Sequence, residues 1–228
     1  MIDLEDGVFM DHVEEMVSQR RWADLRDMLL LLEPADIALI LDKLPEDRLP
    51  LLYRLLPKET AAEVFVEMEP EVQELLIKTF SDTELKEVLE ELYVDDTVDL
   101  IEEMPASVVK RILKHTDPET RKSVNEILKY PEDSAGSIMT TEFVDLKRDM
   151  TVEDAFKRIR RTGIDKETIN ICYVTDPSRH LLGLVSIRTL LLAEEDERIE
   201  DIMETNVIFA TTLEDKEDVA QQLSKYDF

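Results

Sequence analysis

The sequence predicts two architectures in one chain. An all-α superhelical stack of short helices comes first, followed by an α+β unit of β-α-β-β-α order that begins a second time and stays incomplete. Three observations carry this reading. Proline recurs at short, nearly even steps in the first half. The composition shifts to β-branched runs after Gly136, and residues then repeat at a constant offset of 64.

Leaving Pro50 aside, prolines at 34, 45, 57 and 70 are 11, 12 and 13 residues apart, and two more follow at 105 and 118. Proline suits the first turn of a helix, where its missing N–H loses no bond. Acids follow several of them, as in Pro45-Glu-Asp, Pro70-Glu and Pro118-Glu, where the helix dipole favours negative charge. Between Pro70 and Pro105, Ser81-Asp-Thr-Glu84 reads as a capping box. Ile37, Ile40, Leu41 and Leu44 recur at helical spacing, as do Leu85, Val88, Leu89 and Leu92. Such short stripes need neighbours to bury them. The expectation is a curved stack of about eight to ten helices over roughly residues 5–130.

Tyr130-Pro-Glu-Asp-Ser-Ala-Gly136 breaks the pattern and is the best linker candidate. Beyond it, Phe143–Leu146 is predicted as a strand, Thr151 to about Arg161 as a helix and Ile169–Val174 as a buried strand. A turn at Asp176–Arg179, a strand over Leu182–Ser186 and a helix from Arg188 complete the unit. Ile138-Met-Thr-Thr141 then aligns with Ile202-Met-Glu-Thr205, Glu153-Asp154 with Glu217-Asp218, and Ile159 with Leu223, all at an offset of 64. The domains expected are therefore 1–130, 131–197 and a partial second copy over 198–228. A copy lacking two strands leaves an open sheet edge, so continuation beyond residue 228 is expected.

The 228 residues carry 54 Asp+Glu against 27 Lys+Arg, a net charge of −27. That excludes a nucleic-acid partner, whose binding rests on basic neutralisation of phosphate, and favours cations or basic partners. At 43% hydrophobic content the chain still has material for cores. Cys172 is the single cysteine, so no intrachain disulfide forms, and inside a predicted strand it reads as a small buried hydrophobe. No basic-then-apolar leader opens the chain, and the longest apolar run, Leu181–Ala193, falls short of the roughly 18–20 residues needed to span a bilayer. His12, His115 and His180 are scattered, and the four glycines form no phosphate-binding loop, so no enzyme active site is expected.

The duplicated unit, with its Ile-Met-x-Thr openings and its Gly183-Leu-Val-Ser-Ile-Arg188 stretch, resembles a pair of CBS (cystathionine-β-synthase) domains. The helical stack ahead of it carries Leu92-Tyr-Val-Asp-Asp-Thr-Val-Asp-Leu-Ile-Glu-Glu-Met-Pro105 and the Ser134-Ala-Gly-Ser-Ile-Met139 boundary. Together they resemble the cytosolic part of MgtE-type magnesium channels. The resemblance implies a homodimer joined through CBS domains at the cytoplasmic face of the membrane, with a transmembrane pore domain C-terminal to this chain. It also implies a role for Mg²⁺ as both regulatory and transported ion, the pore closing when Mg²⁺ bridges acidic faces of the two domains.

Asp95 and Asp99 lie one helical turn apart with Asp96 beside them. As residues alone they read as a solvated helix face, but the resemblance makes them a metal-binding stretch, and Mg²⁺ needs only one or two carboxylates because it keeps several waters. Glu63 is one more exposed acid by itself, and the resemblance places it at the interface between the stack and the CBS domains. Asp215, Glu217 and Asp218 suit a helix start, and the resemblance maps metal-facing roles onto Glu217, Asp227 and, less directly, Asp215. CBS pairs also take adenine nucleotides, using an Asp where this chain has Thr189, which offers no bidentate acceptor. An adenine nucleotide is thus an open but not an expected ligand. The alternatives are a nucleotide-sensing CBS module of another transporter or enzyme, and a structural interaction protein, since the stack is also similar to the N-terminal region of a flagellar motor switch protein.

Overall fold

A computed structural model describes residues 7–226; Asp227 and Phe228 lie outside the described residues. Among these residues the first half is all helix: α1 (Gly7–Ser18), α2 (Trp22–Leu29), α3 (Pro34–Asp42), α4 (Leu49–Tyr53), α5 (Lys58–Val66), α6 (Pro70–Thr79), α7 (Asp82–Leu89), α8 (Val94–Glu103), α9 (Ala106–His115) and α10 (Pro118–Ile127). Pro34 and Pro70 stand in the first turn of their helices, while Pro57 and Pro105 are N-caps. Ser81 and Glu84 form the capping box that opens α7. One start differs from expectation. Pro45 opens a turn, with the Arg48 N–H donating to its carbonyl at 2.8 Å, and α4 begins only at Leu49. A helix running from Pro45 would hold Pro50 in its interior, where the ring clashes with the preceding turn; starting at Leu49 leaves Pro50 in the tolerated first turn.

The short helices stack on their next-but-one neighbours: α3 on α5, α5 on α7, α7 on α9, and α4 on α6. Ile37, Ile40, Leu41, Leu76, Ile77 and Leu85 are fully buried between them. Tyr53, Phe65 and Phe80 form an aromatic cluster with centroids 5.4–6.5 Å apart. Buried polar groups are answered within it: the Tyr53 hydroxyl donates to Ala61 O at 2.8 Å, and Gln73 Nε2 to Phe65 O at 2.8 Å. Arg111 of α9 donates to the carbonyls of Ile77 and Phe80, supplying donors to the end of α6.

The second half builds a three-stranded sheet in the order β1 (Phe143–Leu146), β2 (Thr168–Thr175), β3 (Leu181–Ser186). β1 and β2 run parallel, joined through α11 (Val152–Thr162), and β2 and β3 are antiparallel. α12 (Ile187–Leu192) packs on β2 and β3. Val144, Leu146, Val152, Ala155, Ile159, Cys172, Val174, Val185, Leu190 and Ile199 form one buried cluster. Burial alternates along β1 and β3, as a sheet covered on one face requires.

The duplication shows in the hydrogen bonds. After α12 come α13 (Ile199–Ile202) and α14 (Lys216–Lys225). Thr151 bridges Arg198, and 64 residues away Asp215 bridges Ser134. The bonds around each bridge correspond at the same offset. Val152 N to Glu197 O matches Lys216 N to Asp133 O, Ile199 N to Met150 O matches Ala135 N to Glu214 O, and Glu200 N to Arg148 O matches Gly136 N to Thr212 O. Each copy's first helix start is therefore strapped to the segment that leads into the other copy. The break at residues 130–136 is such a strap, bonded at 2.8–2.9 Å to residues 212–216, and not a free tether. Val207–Ala210, which the offset sets against β1, are not assigned as a strand.

By atomic contacts the described residues divide into two compact units, one reaching to Leu92 and resuming over Asp96–Lys122, the other comprising Tyr93–Asp95 and the chain from Ser123.

Two tests follow from this packing. A Cβ at Gly136 would lie 2.6 Å from the Tyr130 ring and 2.8 Å from Thr212 O. Gly136→Ala is expected to cost about 1–3 kcal/mol in urea denaturation, as overpacking does. The second concerns Glu84, which accepts from Arg54 Nε at 2.5 Å and from the Ser81 N–H at 2.8 Å. The Arg54 guanidinium, and after it the Ser81 N–H, hold its pKa at about 2 against an ordinary 4.5. A depressed carboxyl pKa contributes stability that is fully present above 4.5 and is lost as pH falls to about 2. The stability difference between the parent and Glu84→Gln should therefore shrink across that window and vanish below it.

Candidate functional site

α8 places the acidic face, because its sequence has two sides. Val94, Thr97, Val98, Ile101 and Met104 are buried at helical spacing, which turns Asp99, Glu102 and Glu103 to solvent and leaves Asp95 and Asp96 half-buried at the first turn. Asp95 and Asp99 project one turn apart, as their spacing predicts.

The structure adds an acid that sequence reasoning missed. The Val94 N–H at the start of α8 donates to Glu142 Oε2 at 2.7 Å, across 48 residues of chain. Glu142 thus does what an N-cap side chain does, but from a distant segment in the same compact unit. Burial pushes its pKa up, the Val94 N–H works against that, and the Asp95 charge beside it adds to the rise. No local spacing announces such a contact.

The other acids are dispersed. Glu63 is exposed on α5, opposite the buried Ala61, Ala62, Val64 and Phe65. Asp215 is the N-cap of α14, its Oδ1 accepting the Glu217 N–H at 2.9 Å and the Asp218 N–H at 3.3 Å. Glu217 is exposed in the first turn of that helix, and Asp227 lies outside the described residues. Among the described residues no group of three or more His, Cys, Asp or Glu converges into a ready-made metal cage. What the acids offer are carboxylates in ones and twos, exposed at Glu63, Asp99, Asp215 and Glu217 and half-buried at Asp95, donors of the type that suits a hard, largely hydrated divalent cation.

Two further predicted positions have local roles. Ser186 is the N-cap of α12: its Oγ accepts the Thr189 N–H at 3.0 Å and lies 2.9 Å from Thr189 Oγ1, so Thr189 belongs to a capping turn. Cys172 is fully buried, and burial pushes its thiol up to about 11, which removes it as a nucleophile near neutral pH. No helix among the described residues is long and apolar enough to cross a membrane.

Comparisons with known proteins agree with this architecture. The family model described as the MgtE intracellular N domain matches residues 32–133, and that of the CBS domain matches residues 135–196. The magnesium transporter MgtE of Thermus thermophilus is 36% identical over 220 residues, covering 95% of this chain and 49% of that protein. Its Bacillus subtilis counterpart is 32% identical over 205 residues, covering 90% of this chain and 46% of that protein. The chain thus spans about half the length of the curated relatives it matches. Among solved structures, the cytosolic domain of the Mg²⁺ channel MgtE in complex with ATP superposes with a TM-score of 0.88 at 35% identity, over 96% of this chain and 90% of that one. The soluble part of a magnesium transporter gives 0.84 at 29% identity, over 96% and 86%. With both modules matched in order and a structural relative matched almost end to end, the chain belongs to the MgtE family, of which it carries the N domain and a CBS domain.

Proposed function

We propose that this chain is the cytosolic, Mg²⁺-sensing regulatory region of a magnesium transporter or channel, and that it acts in gating and not as an enzyme. The observation that carries this reading is the match over 96% of its length to a relative described as the cytosolic domain of a Mg²⁺ channel. In the same reading the chain forms a homodimer through its CBS domains and works on a transmembrane pore domain that follows it in the full-length protein.

The residues supply the physical basis. Two unit charges about 4 Å apart repel by about 1 kcal/mol in water and about 4 kcal/mol at an effective dielectric constant of about 20. With a net charge of −27, several such pairs outweigh a modest interdomain attachment, so the cation-free chain is the more open one. Asp95, Asp99 and Glu63 on the N domain, with Asp215, Glu217 and Asp227 on the CBS side, are the carboxylates assigned to the ion. A hard divalent cation supplies the positive charge that reverses the sign of their interaction. Because Mg²⁺ keeps several of its waters and takes only one or two carboxylates from a protein surface, the hold on it is weak, and a sensor needs weak affinity to release the ion when its level falls. The ion shifts the population only by as much as it prefers the compact form.

Small-angle scattering of the chain should show a smaller radius of gyration in millimolar Mg²⁺ than in chelator, and Asp95→Asn with Asp99→Asn should move the midpoint to higher Mg²⁺. An unchanged radius would remove the domain-swing mechanism, and an unchanged midpoint would remove these two residues from the sensor.

A second ligand is favoured by one finding, that a relative at 35% identity was crystallised with ATP. In this chain the Thr189 hydroxyl is already engaged with Ser186, which leaves a weaker hold on a ribose than a carboxylate would give. ATP in magnesium-free buffer is therefore expected to raise the melting temperature little, and Thr189→Asp to increase that rise. A large rise in the parent chain would make nucleotide sensing a function in its own right.

A further inference from the structure

The chain is acidic overall, yet six of its 27 Lys+Arg fall within residues 147–161: Lys147, Arg148, Lys157, Arg158, Arg160 and Arg161. α11 brings three of them to one side. Lys157 and Arg161 are four residues apart and Arg158 and Arg161 three, so they are neighbours on the helix surface. With Met150 and Asp154 they line a recess of about 340 Å³, within the size range of small-molecule sites.

The acids at hand do not use up these donors. Asp145 serves two cations, Arg158 and Lys147, the latter at 3.1 Å. Arg158 spends its Nε and one Nη2 hydrogen on the Asp145 carbonyl and carboxylate, leaving three of five guanidinium N–H groups with no partner among the described residues. Lys157 is held by Glu153 at 2.8 Å and touches Asp154 at 4.0 Å, so Asp154 takes part of its charge. Arg161 is exposed and makes no ion pair with any described side chain. A guanidinium tied to β1 with N–H groups to spare, lining one recess with a second guanidinium and an ammonium, is an arrangement suited to tetrahedral oxyanions. The net charge of −27 does not forbid this, because at physiological salt the field of an exposed charge is screened within about 8 Å.

We infer that the recess formed by Lys157, Arg158 and Arg161 on α11 binds a phosphate-bearing anion. The phosphate belongs to a free diphosphate or to the headgroup of an anionic lipid. The inference stands apart from the magnesium reading, and its test is run without divalent cations.

The full chain, in chelator-containing buffer, is titrated with inorganic pyrophosphate by calorimetry at constant ionic strength, and separately sedimented with phosphatidylcholine vesicles with and without phosphatidylglycerol. Lys157→Gln with Arg161→Gln changes two exposed side chains and leaves the Arg158–Asp145 pair, with folding checked by circular dichroism. Arg179→Gln, in the exposed turn before β3, is the control. Pyrophosphate binding that weakens at least about tenfold in the double variant and is unchanged in the control supports a soluble ligand. Sedimentation that requires phosphatidylglycerol and is lost in the double variant supports a lipid headgroup. Neither response in the parent chain, or a response that survives the double variant or falls equally in the control, overturns the inference.

Discussion

A helix of five to twelve residues has too few internal hydrogen bonds to persist alone in water, so each helix of the N domain exists only because its neighbours cover one side of it. That requirement orders the rest of the domain. It forces Ile37, Ile40 and Leu41 of α3, or Val94, Val98 and Ile101 of α8, onto one stripe, and it leaves the opposite stripe to whatever the sequence supplies. Here the supply is carboxylate. The acidic faces are thus set by the packing of the stack, and Asp99 and Glu63 are exposed because Val98 and Val64 beside them are not.

The same logic explains which features could be read in advance. Stripe periodicity, first-turn prolines and the Ser81–Glu84 box are local, and the helices they announce are present. The strands over 143–146, 168–175 and 181–186 follow the expected runs to within a residue. The run over Ile169–Val174 is not buried throughout as expected: Ile169 is exposed and only Cys172 and Val174 are buried, because one face of the strand is left uncovered. Where two local signals compete, spacing alone misleads: Pro45 fits the series of prolines, but Pro50 five residues on forbids the helix that series implies.

What sequence could not show are contacts between distant segments. Glu142 caps α8 from 48 residues away, and the strap from Ser134 to Gly136 is bonded to residues more than seventy positions later. The 64-residue repeat did contain the second of these in outline. Once Thr151 is seen to bridge Arg198, the repeat obliges Asp215 to bridge Ser134, and Asp215 acquires its place as a structural cap before any ligand is considered. A carboxylate with one oxygen committed to two backbone N–H groups is pinned in orientation.

Acids spread thinly over a helical surface raise the energy of every compact arrangement that brings two such surfaces together, and the cost falls steeply with salt or with a divalent counterion. A basic cluster on α11 does not cancel that field at a distance, since it is screened like any other exposed charge, but at contact range its geometry decides what binds. The chain can therefore present two chemically opposite surfaces without either neutralising the other. Scattered carboxylates favour a hydrated cation, and convergent guanidinium and ammonium groups favour an oxyanion. What such a surface attracts at contact range depends on local donor geometry and not on the sign of the net charge.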